Sequence, residues 1–174
     1  MSIPKRNSEI AEILRSSRTF FVTTKTSMGR ALLQSERNAT LLIDVLRSCV
    51  ASKKFTIHDF VVMPDHIHLL ITVDAETSIE RAMQFIKGGF SYRLGKEFGH
   101  SGEVWQRSFS EVRVEDRESF LKYREYIAHN PVRAGLPETP EMYPFCYAYL
   151  VMKKRAGAKA QQLPNACGTA EAVP

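Results

Sequence analysis

His66 and His68, two imidazoles separated by one apolar residue, are the side chains of this sequence best spaced for chemistry. They open the run His66-Ile67-His68-Leu69-Leu70-Ile71-Thr72-Val73, which reads as a buried β-strand bounded upstream by the turn-forming Pro64-Asp65 pair. Residues i and i+2 of a strand share a face, so both imidazoles project together while Ile67 points the other way. Neutral imidazole is the commonest metal ligand, and two on one face can share a divalent cation. The alternative is a pair of histidines that hydrogen-bond within a half-buried sheet. A second group lies further along. Tyr126 and Asn130 are four residues apart in a helical stretch and so occupy one helix face. Tyrosine is a weak nucleophile at neutral pH, because a phenol ordinarily titrates near about 10. It needs an activated electrophile, and a cation on His66 and His68 could polarise a phosphate for it. Asn130 could then give an amide oxygen as a third ligand. Against this, Tyr123 and Tyr126 could simply pack the helix onto a sheet while Asn130 caps its end.

The elements around these groups follow from periodicity. Arg18 to Thr26 is rich in aromatic and β-branched residues and reads as a first strand, after a short possible helix at Ser8 to Leu14. Leu41, Leu42, Val45, Leu46 and Cys49 recur at helical spacing between Ser35 and Ala51. Phe55 to Met63 forms a second strand, joined by Pro64-Asp65 in a tight antiparallel hairpin to the third, His66 to Val73. Thr77 or Ser78 caps a long helix to about Glu97, with an odd Gly88-Gly89 pair inside it. That pair suggests a kink, a close approach to a ligand, or crowding. Trp105 to Val114 reads as a fourth strand. Asp116 opens a last strong helix that Pro131 stops. The order matches the ferredoxin-like βαββαβ arrangement, an α+β fold with a four-stranded antiparallel sheet, plus a C-terminal helix carrying Tyr126. The first and third strands of that topology are central, which puts the histidines mid-sheet. One domain spans 1–150. Past Pro137, Pro140 and Pro144 the sequence reads as turn-rich coil around aromatic residues, and 151–174 as a disordered tail.

Composition excludes several classes. With 174 residues, 44% hydrophobic and 25% charged, the chain can bury a core without staples. No apolar run reaches a membrane span, and Met1 to Glu9 lacks a signal-peptide core, so no membrane partner is expected. Cys49, Cys146 and Cys167 are odd in number and far apart, which favours a reducing, cytoplasmic setting over a disulfide framework. A net charge of +5 and a pI near 9.2 permit a polyanionic partner.

Met63-Pro64-Asp65-His66-Ile67-His68-Leu69-Leu70, followed by Tyr126-Ile127-Ala128-His129-Asn130-Pro131-Val132-Arg133-Ala134-Gly135-Leu136, resembles the single-tyrosine HUH transposases. These are the IS200/IS605-type enzymes and, closer still, the REP-associated tyrosine transposases. Glu80 to Arg93 and Trp105-Gln106-Arg107-Ser108-Phe109 are also similar to the REP-associated branch, and the similarity covers about 18–147. The resemblance implies a metal-dependent single-stranded DNA strand transferase acting beside hairpins, as a monomer or a homodimer. It makes His66 and His68 metal ligands, Asn130 a third ligand, Mg²⁺ or Mn²⁺ the ion, and Tyr126 the nucleophile. The product would be a 5′-phosphotyrosine link and a free 3′-OH. One departure is Ser110-Glu111-Val112-Arg113, where many relatives carry an Asp-His or similar pair.

Lys87, Arg93, Arg107 and Arg133 lie near these motifs and are candidate phosphate contacts, and Trp105 is a candidate for stacking a base. Each could equally be a solvated charge, or for Trp105 a core residue. The competing reading is a non-catalytic ferredoxin-like nucleic-acid-binding protein. Such a module needs an aromatic pair on its central strands, but Phe20 and Phe21 are adjacent and point to opposite faces.

Overall fold

A computed structural model describes residues 18–161 of the chain. The elements are β1 (Arg18–Lys25), α1 (Glu36–Ala51), β2 (Thr56–Val62), β3 (His66–Val73), α2 (Ile79–Phe98), β4 (Ser110–Val114), α3 (Arg117–Arg133) and α4 (Tyr147–Gln161), with short 3₁₀ turns at Ser27–Gly29 and Pro140–Met142. All four strands pair antiparallel in the order β2-β3-β1-β4, so β1 and β3 are central, as the ferredoxin-like reading requires. The helix expected at Ser8 to Leu14 lies outside the described residues.

Strand alternation divides the core in two. Phe20, Val22, Ile67, Leu69 and Ile71 face α1 and α2, and meet Leu42, Leu46, Met83, Ile86 and Phe90 in the larger cluster. Leu70, Val61 and Val114 face the opposite way and meet Phe120 and Ile127 of α3. The sheet is thus sandwiched by two helices on one side and α3 on the other. Caps match the sequence: the side chains of Ser35, Ser78 and Asp116 each accept an N–H three residues on, opening α1, α2 and α3. Gly89 is explained by a neighbouring helix rather than a ligand, since a Cβ there would lie 3.1 Å from Val45 Cγ1 of α1. Crowding by α1 accounts for Gly89 alone, since a Cβ on Gly88 would meet nothing within 4 Å.

Three boundaries depart from expectation. Pro131 sits inside α3 instead of ending it. Its missing N–H falls in the last turn, where the N–H groups of Ala134 and Leu136 still reach the carbonyls of Asn130 and Pro131, and Gly135 at φ +70° closes the helix. β4 begins at Ser110 rather than Trp105. The Gln106 and Arg107 carbonyls accept from the Lys87 ammonium at 2.5 and 3.1 Å instead of joining the sheet, and Trp105 keeps only a single bridge to Thr26. Coil was expected through 150, and disorder from 151, yet α4 runs from Tyr147 to Gln161. Its Ala, Leu, Met, Lys, Arg and Gln residues favour helix intrinsically without a strong apolar stripe, and Tyr147, Leu150, Ala148 and Tyr149 pack it against both clusters. Residues 162–174 of the expected tail lie outside the described residues.

Candidate active site

Residues 18 to 25 and 66 to 73 run antiparallel, so Thr23 faces His68 and Lys25 faces His66 directly across the central strand pair. Both imidazoles project onto the α3 side. Each commits its Nδ1 to a neighbour: His66 to the Asp65 carboxylate at 2.6 Å, and His68 to the Thr23 hydroxyl at 2.7 Å. Their ring centroids are 4.7 Å apart. A histidine whose Nδ1 is held in this way presents Nε2 as its free ligand atom. Burial, with the neighbouring His66 second, drives the His68 pKa down to about 3, so His68 is neutral at physiological pH with a lone pair to give.

α3 supplies the other half of the site. Phe120 and Ile127 are buried against the sheet, and the Tyr123 ring stacks on Phe21 at 4.4 Å with an 11° tilt. One turn on, Tyr126 stands edge-on to His68 with centroids 5.3 Å apart, and Asn130 places Nδ2 3.3 Å from His68 Nε2. The fold thus brings His66, His68, Tyr126 and Asn130 into one cluster, although 58 positions separate His68 from Tyr126 (126 − 68). Phe21 is its hub. The ring stacks on His68 at 5.4 Å and meets Tyr126 edge-on at 5.7 Å, as well as stacking on Tyr123.

The donor set fits a divalent cation. Two imidazoles and one amide oxygen suit a borderline metal, and turning the Asn130 amide over presents Oδ1 where Nδ2 now lies. Among the described residues no cluster of three or more His, Cys, Asp and Glu side chains forms a metal centre.

The basic candidates separate. Arg133 lies on the α3 side with its guanidinium carbon 5.5 Å from the Tyr126 ring centroid. Arg107 is exposed in the loop before β4. Arg93 pairs with Glu97 at 2.6 Å on α2, across the sheet from the tyrosine, and Lys87 spends its ammonium on the Gln106 and Arg107 carbonyls. Trp105 needs correction as a base-stacking residue. It is only 6% exposed, packs against Phe90, and donates its indole N–H to the Lys87 carbonyl at 3.2 Å, leaving no open face for a base. Sequence reasoning missed Asp65, read only as a turn residue, and Thr23, whose role depends on strand register. It also missed Lys25 beside His66.

The family described as transposase IS200 like matches residues 19–130, which hold all four clustered residues. The chain is 30% identical over 95 residues to a Haemophilus influenzae protein provisionally named a REP-associated tyrosine transposase, covering 48% of this chain and 53% of that one. It therefore spans about half the length of that relative. It is also similar to the REP-associated tyrosine transposase of Escherichia coli K12, at 25% identity over 134 residues and 76% and 70% of the two chains. Among solved structures, a REP-associated tyrosine transposase bound to a REP hairpin matches with a TM-score of 0.61. At 22% identity, over 99% of this chain and 95% of that one, this is a likeness of fold. No helix among the described residues is long and apolar enough to cross a membrane. On the match across 19–130 the chain belongs to the IS200-like transposase family.

Proposed function

We propose that this protein cleaves and rejoins single-stranded DNA beside hairpins through a covalent link to Tyr126. The observation that carries the reading is the docking of Tyr126 at 5.3 Å, ring to ring, from His68, whose Nε2 lies 3.3 Å from the Asn130 amide nitrogen. The hairpin component rests on the REP hairpin bound to the similar structure.

His66, His68 and Asn130 would hold a Mg²⁺ or Mn²⁺ ion, which when bound supplies Lewis-acid polarisation of the phosphate and stabilises charge on its oxygens. The chain's own residues do the rest. Asp65 and Thr23 keep the imidazoles in the tautomer that leaves Nε2 free. Phe21 and Tyr123 fix the azimuth of α3 and with it the position of the Tyr126 ring beside His68. The phenol loses its proton, and its oxygen bonds to phosphorus as the bond from phosphorus to O3′ breaks. The departing O3′ takes up a proton and leaves as a 3′-hydroxyl. One P–O bond forms for each one broken, so the 5′-phosphotyrosine keeps the bond energy and a second 3′-hydroxyl can reverse the step. Arg133 and Arg107 are the basic candidates still positioned to meet DNA phosphates.

The test uses labelled hairpin oligonucleotides with single-stranded flanks, incubated with Mn²⁺ or Mg²⁺. Wild type forms a denaturant-resistant protein–DNA adduct and Tyr126→Phe forms none. Tight hairpin binding without any adduct, across varied flanks, would replace this reading with a non-catalytic DNA-binding module. An adduct retained by Tyr126→Phe would move the nucleophile to Tyr123.

A further inference from the structure

We infer that Lys25 is the site's own phosphate-contacting cation, a residue that grips the non-bridging oxygens of the phosphate attacked by Tyr126. The inference rests on the function proposed above and adds a substrate contact to it. Two observations converge. First, register places Lys25 directly opposite His66 on the central strand pair, and Thr23, two residues before it, bonds to His68. Residues two apart on a strand share a face, so Lys25 projects on the α3 side, with its Cβ about 5 Å from that of His66. Second, the side chain is exposed at the end of β1, and among the described residues no carboxylate pairs with it. Asp65, the acid nearest in sequence to His66, is already engaged with the His66 ring at 2.6 Å.

The backbone around Lys25 is stiff. The Lys25 carbonyl accepts from Gln106 N–H at 2.9 Å, and Thr26 donates both its N–H and its hydroxyl to the Asp65 carbonyl, at 2.8 and 3.0 Å. The Lys25 stem thus rises from a fixed point, and only its four-carbon arm is free to find an oxygen. Across the site, Arg133 stands over the Tyr126 ring. One cation thus rises from the sheet opposite His66 and the other lies over the Tyr126 ring on α3. In the step written above Lys25 keeps its proton throughout and offsets charge on the phosphoryl oxygens. A compact ammonium suits this role because it acts as a point charge without demanding bidentate geometry.

The experiment compares wild type, Lys25→Gln and Lys25→Arg on one labelled hairpin, measuring Kd across a salt series and the single-turnover rate of adduct formation. A phosphate contact on a single strand adds about 0.7 to the slope of log Kd against log salt. Lys25→Gln should lower that slope by about this amount and slow adduct formation on the order of 100-fold. Lys25→Arg should keep the slope and recover most of the rate. Thermal midpoints should stay together, as expected for an exposed side chain. Mn²⁺ affinity, followed by calorimetry without DNA, should be unchanged or slightly tighter in Lys25→Gln, because a repelling charge has gone. A slope equal to wild type, or an adduct rate within about twofold of it, overturns the inference while the wild-type adduct leaves the cleavage reading intact. If wild type forms no adduct, the cleavage reading fails, and the salt slopes still decide whether Lys25 touches phosphate.

Discussion

His58 makes the docking of the tyrosine helix sensitive to acid. A β-bulge between Ile57 and Asp59 turns the His58 ring to the α3 side, where Nε2 shares a 2.7 Å hydrogen bond with the Thr72 hydroxyl and the ring meets Phe120 edge-on at 5.2 Å. Thr72 is bonded in turn to Thr19 at 2.7 Å. The charged groups facing this pocket are Arg124 of α3 and, beside His58 on β2, Asp59, which pairs with Arg124 at 3.6 Å. Burial first, and the Arg124 charge second, lower the His58 pKa to about 4. The folded state therefore resists a proton that the unfolded chain accepts near about 6.5. Stability from the neutral ring is complete above the unfolded value and is lost as pH falls from there toward 4.

That interval amounts to at most about 3 kcal/mol, of which about 2 kcal/mol disappears between about pH 7 and about pH 5. The assay is urea denaturation of wild type and His58→Gln across that range. His68 and the carboxylates titrate in both proteins, so the difference between the two curves isolates His58. Wild type should lose about 2 kcal/mol more than the variant on going from about pH 7 to about pH 5. A difference that stays constant within about 0.5 kcal/mol, the scatter usual for independent effects, would refute the argument. It would mean that His58 is solvated well enough in the folded protein to take its proton freely.

Asp65→Asn and Thr23→Val each remove an Nδ1 partner of a candidate ligand, and each should weaken Mn²⁺ binding about 10- to 100-fold by calorimetry; unchanged affinity in both would show that the imidazoles hold their orientation without them. Trp105→Phe should leave hairpin affinity within about twofold of wild type and lower unfolding stability by about 1–3 kcal/mol, since it removes a buried indole and its hydrogen bond to Lys87. A loss of DNA affinity with intact stability would return Trp105 to the DNA surface.

What could be read from the sequence was what local periodicity encodes. His66 and His68 fall on one face because strands repeat every two residues, and Tyr126 and Asn130 on one face because helices nearly repeat every four. The order of elements was enough to place β1 and β3 at the sheet centre. What could not be read depends on pairings across distance. Thr23 meets His68 only through a strand register linking positions 45 residues apart (68 − 23), and nothing in the sequence of β1 alone sets Thr23 apart from Thr24. Trp105 was ambiguous for the same reason: its indole partner is a carbonyl on α2, invisible from the segment around it. The β4 start was misplaced because Lys87 draws off the very carbonyls an extended strand would have offered. α4 escaped notice because its support is propensity and contact with two existing clusters, not a stripe of its own.

The arrangement has a consequence for how the chemistry is controlled. α1 and α2 seal one face of the sheet, and the histidines open onto the other, so Tyr126 reaches them only because α3 docks there. That docking combines apolar burial of Phe120 and Ile127, about 1.5–3 kcal/mol each against exposure, with the Arg124–Asp59 pair and the Phe21–Tyr123 stack. Phe21 touches His68, Tyr123 and Tyr126 together. A change that slides α3 along the sheet must therefore disturb the imidazole as well as the phenol. The orientation of the His68 imidazole and the position of the Tyr126 ring are one packing problem in this protein, and its solution lies in a β1 aromatic that belongs to neither motif.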